Sequence, residues 1–436
     1  MLRRINFRLF FALLLVGLAP TVYTTFRVFL LGQLPGEWSF SIAGQLSWVN
    51  LLYEVLNEAI ILPLFFFLGK IQHDHDAFSN RVRTGLILSF AVYAVLSAFI
   101  IALTRPLLAA MAADATLISQ SVSYIRLEAI ANLFSILAQF SLVALVTLNK
   151  SLYLYALTLA RLVLCLGFDA FFASALPFSL NLGVNGIALS NILVNALLFA
   201  ISVGLLACEN VAVFRCAKLD FTWCKGLLRV GGVSGAESLV RNLAYMLMIA
   251  RMVNMVNEQG TYWVANNFIW GWLLLPVLQL GELIKQEVAA DPENVQKNTP
   301  GYLCITGGIL VLWAVTIPLW KPFMAGVLGF QDVEKLFSLV LLLVGFYGLF
   351  AVQNIFDATF YGLGKTNYML LQSVVTNTVY YGTAFVLYIA NCWQPTLNGI
   401  ALLFGIGTAF DSIVSFLSYL HLRKNSKRPL DKSPSR

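Results

Sequence analysis

Long apolar runs, broken at short intervals by glycine, proline and charge, make up most of the chain. They predict twelve helices, near residues 7–31, 41–68, 84–104, 120–148, 152–176, 184–207, 227–256, 261–284, 302–320, 335–361, 367–391 and 397–421. A membrane-spanning helix takes about 20 apolar residues, so each run is close to or above that length. The longest exceed the bilayer core, which predicts tilt, kinks or protrusion. Pro20, Pro63, Pro276 and Pro318 fall inside predicted spans, where a kink is tolerated. Pro20 marks a bend point in the first. The N-terminal run continues past Leu31 with no A-x-A cleavage pattern, so it reads as a first span and not as a signal peptide.

Composition supports the same picture. Of 436 residues, 59% are hydrophobic and 11% charged, and the mean hydropathy is +0.80. A soluble protein carries about 25% charge, so a soluble enzyme, a disordered chain and a nucleic-acid binder are excluded. No loop is long enough for an extramembrane domain. The placement of the 28 Lys and Arg fixes an orientation. With the N-terminus inside, twenty fall in inside segments and three, Arg105, Lys321 and Lys335, in outside loops. The other five, Arg27, Arg126, Arg161, Arg241 and Arg251, lie within spans. This positive-inside bias predicts a multi-pass protein of a cell (inner) membrane with both termini cytoplasmic.

The chain also repeats itself. Asn-Gly-Ile-Ala-Leu occurs at 185–189 and again at 398–402. Trp48-Val49 matches Trp263-Val264, Leu62-Pro63 matches Leu275-Pro276, Lys150 matches Lys365, Gly17 matches Gly232 and Arg27 matches Arg241. All keep an offset near 214. A duplication with six spans per half follows, and an even number gives both halves the same orientation. Such parallel repeats characterise secondary transporters. The predicted organisation is a six-helix lobe over 1–210, a cytoplasmic linker over 211–226, a second six-helix lobe over 227–422 and a basic cytoplasmic tail over 423–436.

Several islands resemble the multidrug and toxic compound extrusion (MATE) family, within the multidrug/oligosaccharidyl-lipid/polysaccharide flippase superfamily. Asp169-Ala-Phe-Phe followed by Leu182-Gly183-Val184-Asn185-Gly186-Ile187-Ala188-Leu189-Ser190 is similar to that family's junction of helices 5 and 6. The segments 232–238, 265–276 and 360–366 resemble its seventh helix, its eighth helix and the turn after its tenth. The resemblance implies an all-α, V-shaped transporter with two pseudo-symmetric six-helix lobes. It implies export of amphipathic drugs or toxins in exchange for protons or sodium, by alternating access, with no enzyme activity and no cofactor beyond the coupling ion. Two positions depart from the family pattern. Arg27 stands where many members carry an acidic residue in helix 1, and Cys165 stands where they carry asparagine.

Charges inside a bilayer face a cavity or a partner, which makes them candidate sites. Asp169 is central in an apolar helix and suits binding of a proton or sodium; the alternative is an ion pair with Arg161 or Arg27. Glu54 and Glu58 stand four residues apart behind Asn50, on one helix face. Together they form a second candidate coupling site, unless Arg27 neutralises one of them. Glu237 and Arg241 have the spacing of an intrahelical pair. Arg27 and Arg241, as repeat equivalents, suit a carboxylate or anionic headgroup, which supports an alternative, flipping of a lipid-linked or anionic substrate. Tyr262, Trp263, Phe268, Trp270 and Trp272 read first as an interfacial belt or lipid-facing ring; alternatively, with Asn266 and Asn267, they line a pocket for an amphipathic ligand. Arg27, Glu237, Arg241, Asn266, Asn267 and Asp357 are therefore candidate substrate-binding residues, and Asp169, Glu54 and Glu58 candidate cation-coupling residues. Asp411 is a further mid-span acid. Glu282, Lys285, Arg126 and Glu128 read as interfacial groups that snorkel. His73-Asp74-His75-Asp76 reads as a solvated loop, and Cys208, Cys216 and Cys224 as incidental thiols. The expected partners are an amphipathic small molecule and the lipid bilayer, with no nucleic acid, and the expected state is a monomer.

Overall fold

In the computed structural model, the described residues are 4–34, 38–71, 73–148, 151–214 and 219–426. Lys150, Cys216 and the tail from 427 onward lie outside them. The described chain is all-helical and follows the apolar runs. We number the segments α1 (Phe7–Gly32), α2 (Trp38–Gly69), α3 (His75–Ala110), α4 (Ile118–Thr147), α5 (Ser151–Phe172), α6 (Val184–Cys208), α7 (224–255), α8 (259–290), α9 (Thr299–Gly326), α10 (Val333–Gly362), α11 (367–389) and α12 (Leu397–Ser426). Among the described residues nine helices are long and apolar enough to cross a membrane, and the bent α8 makes a tenth. The other two, α7 and α11, carry the polar positions Glu237, Arg241 and Arg251, and Gln372, Thr376 and Asn377. The protein is a multi-pass membrane protein.

Wide π turns interrupt four segments: Asn57–Ile61 in α2, Met246–Ala250 in α7, Ile269–Leu273 in α8 and Thr376–Tyr381 in α11. Such bulges free backbone groups and re-aim side chains. Here Glu58 and Thr376 lie within them. Helix α8 bends by 52° between Leu273 and Leu275, just before Pro276. The ring of Pro276 supplies no N–H to the preceding turn.

Two compact units result. The larger holds Leu18–Gly271 with Trp320–Phe337, and the smaller holds the segment ending at Gly17, Trp272–Leu319 and the chain from Ser338. Residues 215–218 of the linker expected over 211–226 lie outside the described residues. The core of the larger unit includes Trp48, Tyr53, Phe78, Phe140 and Leu227; that of the smaller includes Leu283, Tyr302, Phe356 and Phe360. Outward faces stay apolar. Leu159 and Val163 on α5, and Val311, Val315 and Leu319 on α9, are exposed at helical spacing. Stripes of this kind are unfavourable in water and suit a hydrocarbon solvent.

The His-Asp-His-Asp loop has a structural explanation. Asp74 is the N-cap of α3 and accepts from the Ala77 N–H at 3.0 Å, while Asp76 sits in the first turn near the positive end of the helix dipole. Among the described residues no group of three or more His, Cys, Asp or Glu side chains is placed to hold a metal.

Candidate functional site

Three polar clusters and one cavity bring the candidate residues together. The first joins α1, α4, α5 and α6 in the larger unit. Asp169 is completely buried, and Arg27 grips it with Nε to Oδ2 at 2.6 Å and Nη2 to Oδ1 at 3.3 Å. Its partner among the sequence alternatives is thus Arg27, not Arg161. Arg27 Nη2 also donates to Asn191 Oδ1 at 2.6 Å and lies 3.8 Å from Cys165 Sγ. The Asn191 Nδ2 group donates to Glu128 Oε1 at 2.7 Å. A close crossing sets this register: a Cβ on Gly186 would fall 2.5 Å from the Phe172 carbonyl, so only glycine lets α6 start against the end of α5.

Glu128 corrects the sequence reading. It was expected at the interface with Arg126, but it is 3% exposed and faces inward. Arg126 instead turns to the Ile101 carbonyl at 3.0 Å on the exposed side. The two are on different faces because a step of two residues turns about 200° around a helix. A usable signal was available, since Tyr124, Glu128 and Asn132 recur at a spacing of four.

The second cluster joins α2 and α7. Arg241 meets Glu58 at 2.7 Å, Glu54 at 3.3 Å and Glu237 at 3.4 Å. The expected Glu237–Arg241 pair is present, and Arg241, not Arg27, neutralises Glu54 and Glu58. All four side chains are partly exposed. Glycine allows the approach here as well. A Cβ on Gly231 would lie 1.7 Å from the Ala59 carbonyl, and one on Gly235 would lie 2.8 Å from the Ala59 Cβ.

The third cluster lies in the smaller unit among α10, α11 and α12. The Gln353 amide donates to Asp357 Oδ2 at 3.0 Å and to Asp411 Oδ2 at 2.6 Å. Gln372 and Thr376 donate to Asp411 at 2.7 and 2.6 Å, and Ser415 donates to Asp357 at 2.6 Å. Among the described residues no ion pair reaches either aspartate. Their partners are neutral donors from three helices, which sequence spacing does not bring together.

Asn266 and Asn267 line a cavity of about 370 Å³ in the larger unit, with Tyr262, Trp263 and Trp270 of α8. Thr21, Thr24, Thr25 and Val28 of α1 line it as well. Helix α1 thus has two duties: these side chains face the cavity, while Arg27, 5.5 Å from the Tyr23 ring, joins the first cluster.

Known structures share this all-helical arrangement. An inward-facing multidrug resistance MATE family transporter of the MOP superfamily matches with a TM-score of 0.77 at 19% identity, covering 94% of this chain and 96% of that one. An outward-facing counterpart matches at 0.70 and 18%, covering 96% and 95%. A MOP superfamily transporter from Pyrococcus furiosus, described as having a reversed binding-pocket polarity that suggests a different function, matches at 0.70 and 17%, covering 96% and 95%. No family model matches the chain, and no curated protein matches it by sequence. The fold is that of the MATE transporters, as the motif resemblance implied.

Proposed function

We propose that the protein is a secondary active antiporter, not an enzyme, that exports amphipathic small molecules in exchange for protons or sodium by alternating access. One observation carries this reading: α1 is shared between an aromatic- and amide-lined cavity and a buried charge cluster. A change of charge in the cluster around Arg27 acts on the same helix that walls the cavity. An ion shifts a conformational equilibrium only as far as it binds the two states differently, and a shared helix makes that difference available. The aspartate pair of α10 and α12 gives a second ion-loadable site, and we assign Asp357 to it together with Asp411. Trp263, Trp270, Asn266 and Asn267 are the substrate contacts, and apolar and aromatic lining with a few polar groups suits an amphipathic ligand. The lysine and arginine placement supports a cytoplasmic location of both termini in an inner membrane. A monomer carries all these groups.

Flipping of a lipid-linked or anionic substrate is the weaker reading. It drew on Arg27 and Arg241, and carboxylates already engage both, which leaves neither as a free positive charge. The Pyrococcus furiosus neighbour shares the fold, so the fold alone does not choose between these readings. Dye transport in proteoliposomes under separate proton and sodium gradients does. Transport driven by one gradient supports antiport of amphipathic cargo. Scrambling of a headgroup-labelled lipid without dye transport overturns it.

A further inference from the structure

The cluster around Arg27 buries two carboxylates against one guanidinium. Two nitrogens of Arg27 close on Asp169, so that pair is neutral as a unit. Glu128 is then left with neutral donors only, the Asn191 amide and the Tyr124 hydroxyl of its own helix. A buried carboxylate without a compensating charge is costly, and a proton removes the cost. We propose that Glu128, not Asp169, is the group that takes up and releases the coupling proton in the larger unit. The assignment rests on the antiport reading and names its titrating group.

Asn191 links the two carboxylates. Its carbonyl oxygen must face the guanidinium at 2.6 Å, which turns its amide N–H toward Glu128 at 2.7 Å. A reversed amide would set N–H against N–H. One side chain therefore connects the protonation of Glu128 to the position of Arg27. The titratable groups that act on Glu128 are Arg27 from α1, Tyr53 from α2, Tyr124 of its own helix and Asp169 from α5, while α6 contributes the neutral Asn191 and α3 packs alongside with the neutral Ser97. Arg27 is the single cation in this set.

A polar cavity lies one helical turn away from Glu128. A cavity of about 260 Å³ is lined by Asn50, Tyr53, Glu54, Asn132, Ser135 and Gln139, among others. That volume holds several waters, at about 30 Å³ each, and its polar lining gives them partners. Asn132 stands one turn from Glu128 and donates to its backbone carbonyl at 3.1 Å. Tyr53 hydrogen-bonds Ser97 at 2.8 Å, and Ser97 donates at 3.1 Å to the carbonyl of Ala129, the neighbour of Glu128. Glu54, with 42% of its side chain exposed, is part of the lining.

The step balances simply. A proton arriving from solution as hydronium adds to the Glu128 carboxylate and leaves water behind, while Oε1 keeps accepting from Asn191. The cluster passes from one net negative charge to none. On release the unpaired charge attracts the guanidinium through Asn191, which loads α1 and its cavity wall.

Infrared difference spectroscopy of purified protein, titrated from alkaline to acid, tests the assignment without a substrate. One component of the carboxylic acid absorption that appears on acidification, isolated as the wild-type-minus-variant difference, is expected to be missing in Glu128→Gln and present in Asp169→Asn. In wild type the affinity for a fluorescent cationic dye is expected to change about tenfold across the same titration, within the usual range of coupling free energies, and in Glu128→Gln to lose that dependence. If Glu128→Gln does not fold, Glu128→Asp must move the band position or its midpoint. An unchanged band in either variant, or a band lost only in Asp169→Asn, overturns the proposal. If the band depends on Glu128 but no gradient drives dye transport by wild type, the antiport reading fails while the titrating group stands.

Discussion

Replacing Arg27 by methionine isolates the buried ion pair. Both hydrogen bonds to the Asp169 carboxylate come from Arg27, and the carboxylate is wholly buried. In Arg27→Met the carboxylate therefore loses its partner. Removing one member of a buried pair costs about 3–5 kcal/mol, mostly the penalty of the stranded charge. For a unit of this size, about 2 °C of melting temperature per kcal/mol gives a fall of roughly 6–10 °C. Adding Asp169→Asn to the same protein removes the stranded charge and leaves only a neutral amide, whose unsatisfied burial costs about 1–3 kcal/mol. The double variant is thus expected to melt several degrees above Arg27→Met, although it carries one more substitution. The assay is thermal unfolding of detergent-purified protein at one scan rate, followed by intrinsic tryptophan fluorescence and by the monodisperse fraction after heating. A double variant no more stable than Arg27→Met would refute the reasoning, because the single loss would then come from lost packing and not from an unpaired charge.

Further outcomes follow from the other contacts. Gly231→Ala sets a methyl 1.7 Å from the Ala59 carbonyl, whereas a Cβ on Gly232 meets nothing within 4 Å; folded yield is expected to collapse in the first and to hold or rise in Gly232→Ala, where helix propensity improves by about 0.5–1 kcal/mol. Asp411→Asn removes a buried acid that, among the described residues, no cation meets, and its new amide can donate to Thr376; a raised melting temperature with weakened gradient-driven transport is expected, and a lowered one counts against the reading. Glu237→Gln leaves Arg241 with Glu54 and Glu58, so its effect on melting is expected to stay below about 1 kcal/mol, as for partly exposed pairs. Arg241→Ala leaves three carboxylates facing one another, and its destabilisation should grow as salt is lowered. Trp263→Ala opens the wall of the 370 Å³ cavity and is expected to weaken dye binding measured by fluorescence quenching, with melting little changed; unaltered binding would remove this cavity from the substrate path.

Much of this protein was decided by local rules, which a sequence displays. Hydrophobic runs set the helices because, without water, a helix is the only open segment that satisfies every backbone group internally. Pairs at a spacing of four, such as Glu237 with Arg241 or Glu54 with Glu58, share a helix face wherever the helix forms. The order of motifs carried the fold resemblance for the same reason. Tertiary structure alone decided who neutralises whom. Arg27 pairs with Asp169 across 142 positions, Arg241 with Glu58 across 183, and Gln353 with Asp411 across 58. Those choices depend on helix rotation and on crossings that Gly186 and Gly231 permit at single positions. Glu128 shows the limit most plainly. Its sequence neighbours suggest an interfacial acid, and a turn of the helix buries it instead beside Asn191. Long-range electrostatics is read from coordinates because charge pairing follows distance in space, and a helical membrane chain leaves that distance unspecified until its helices pack.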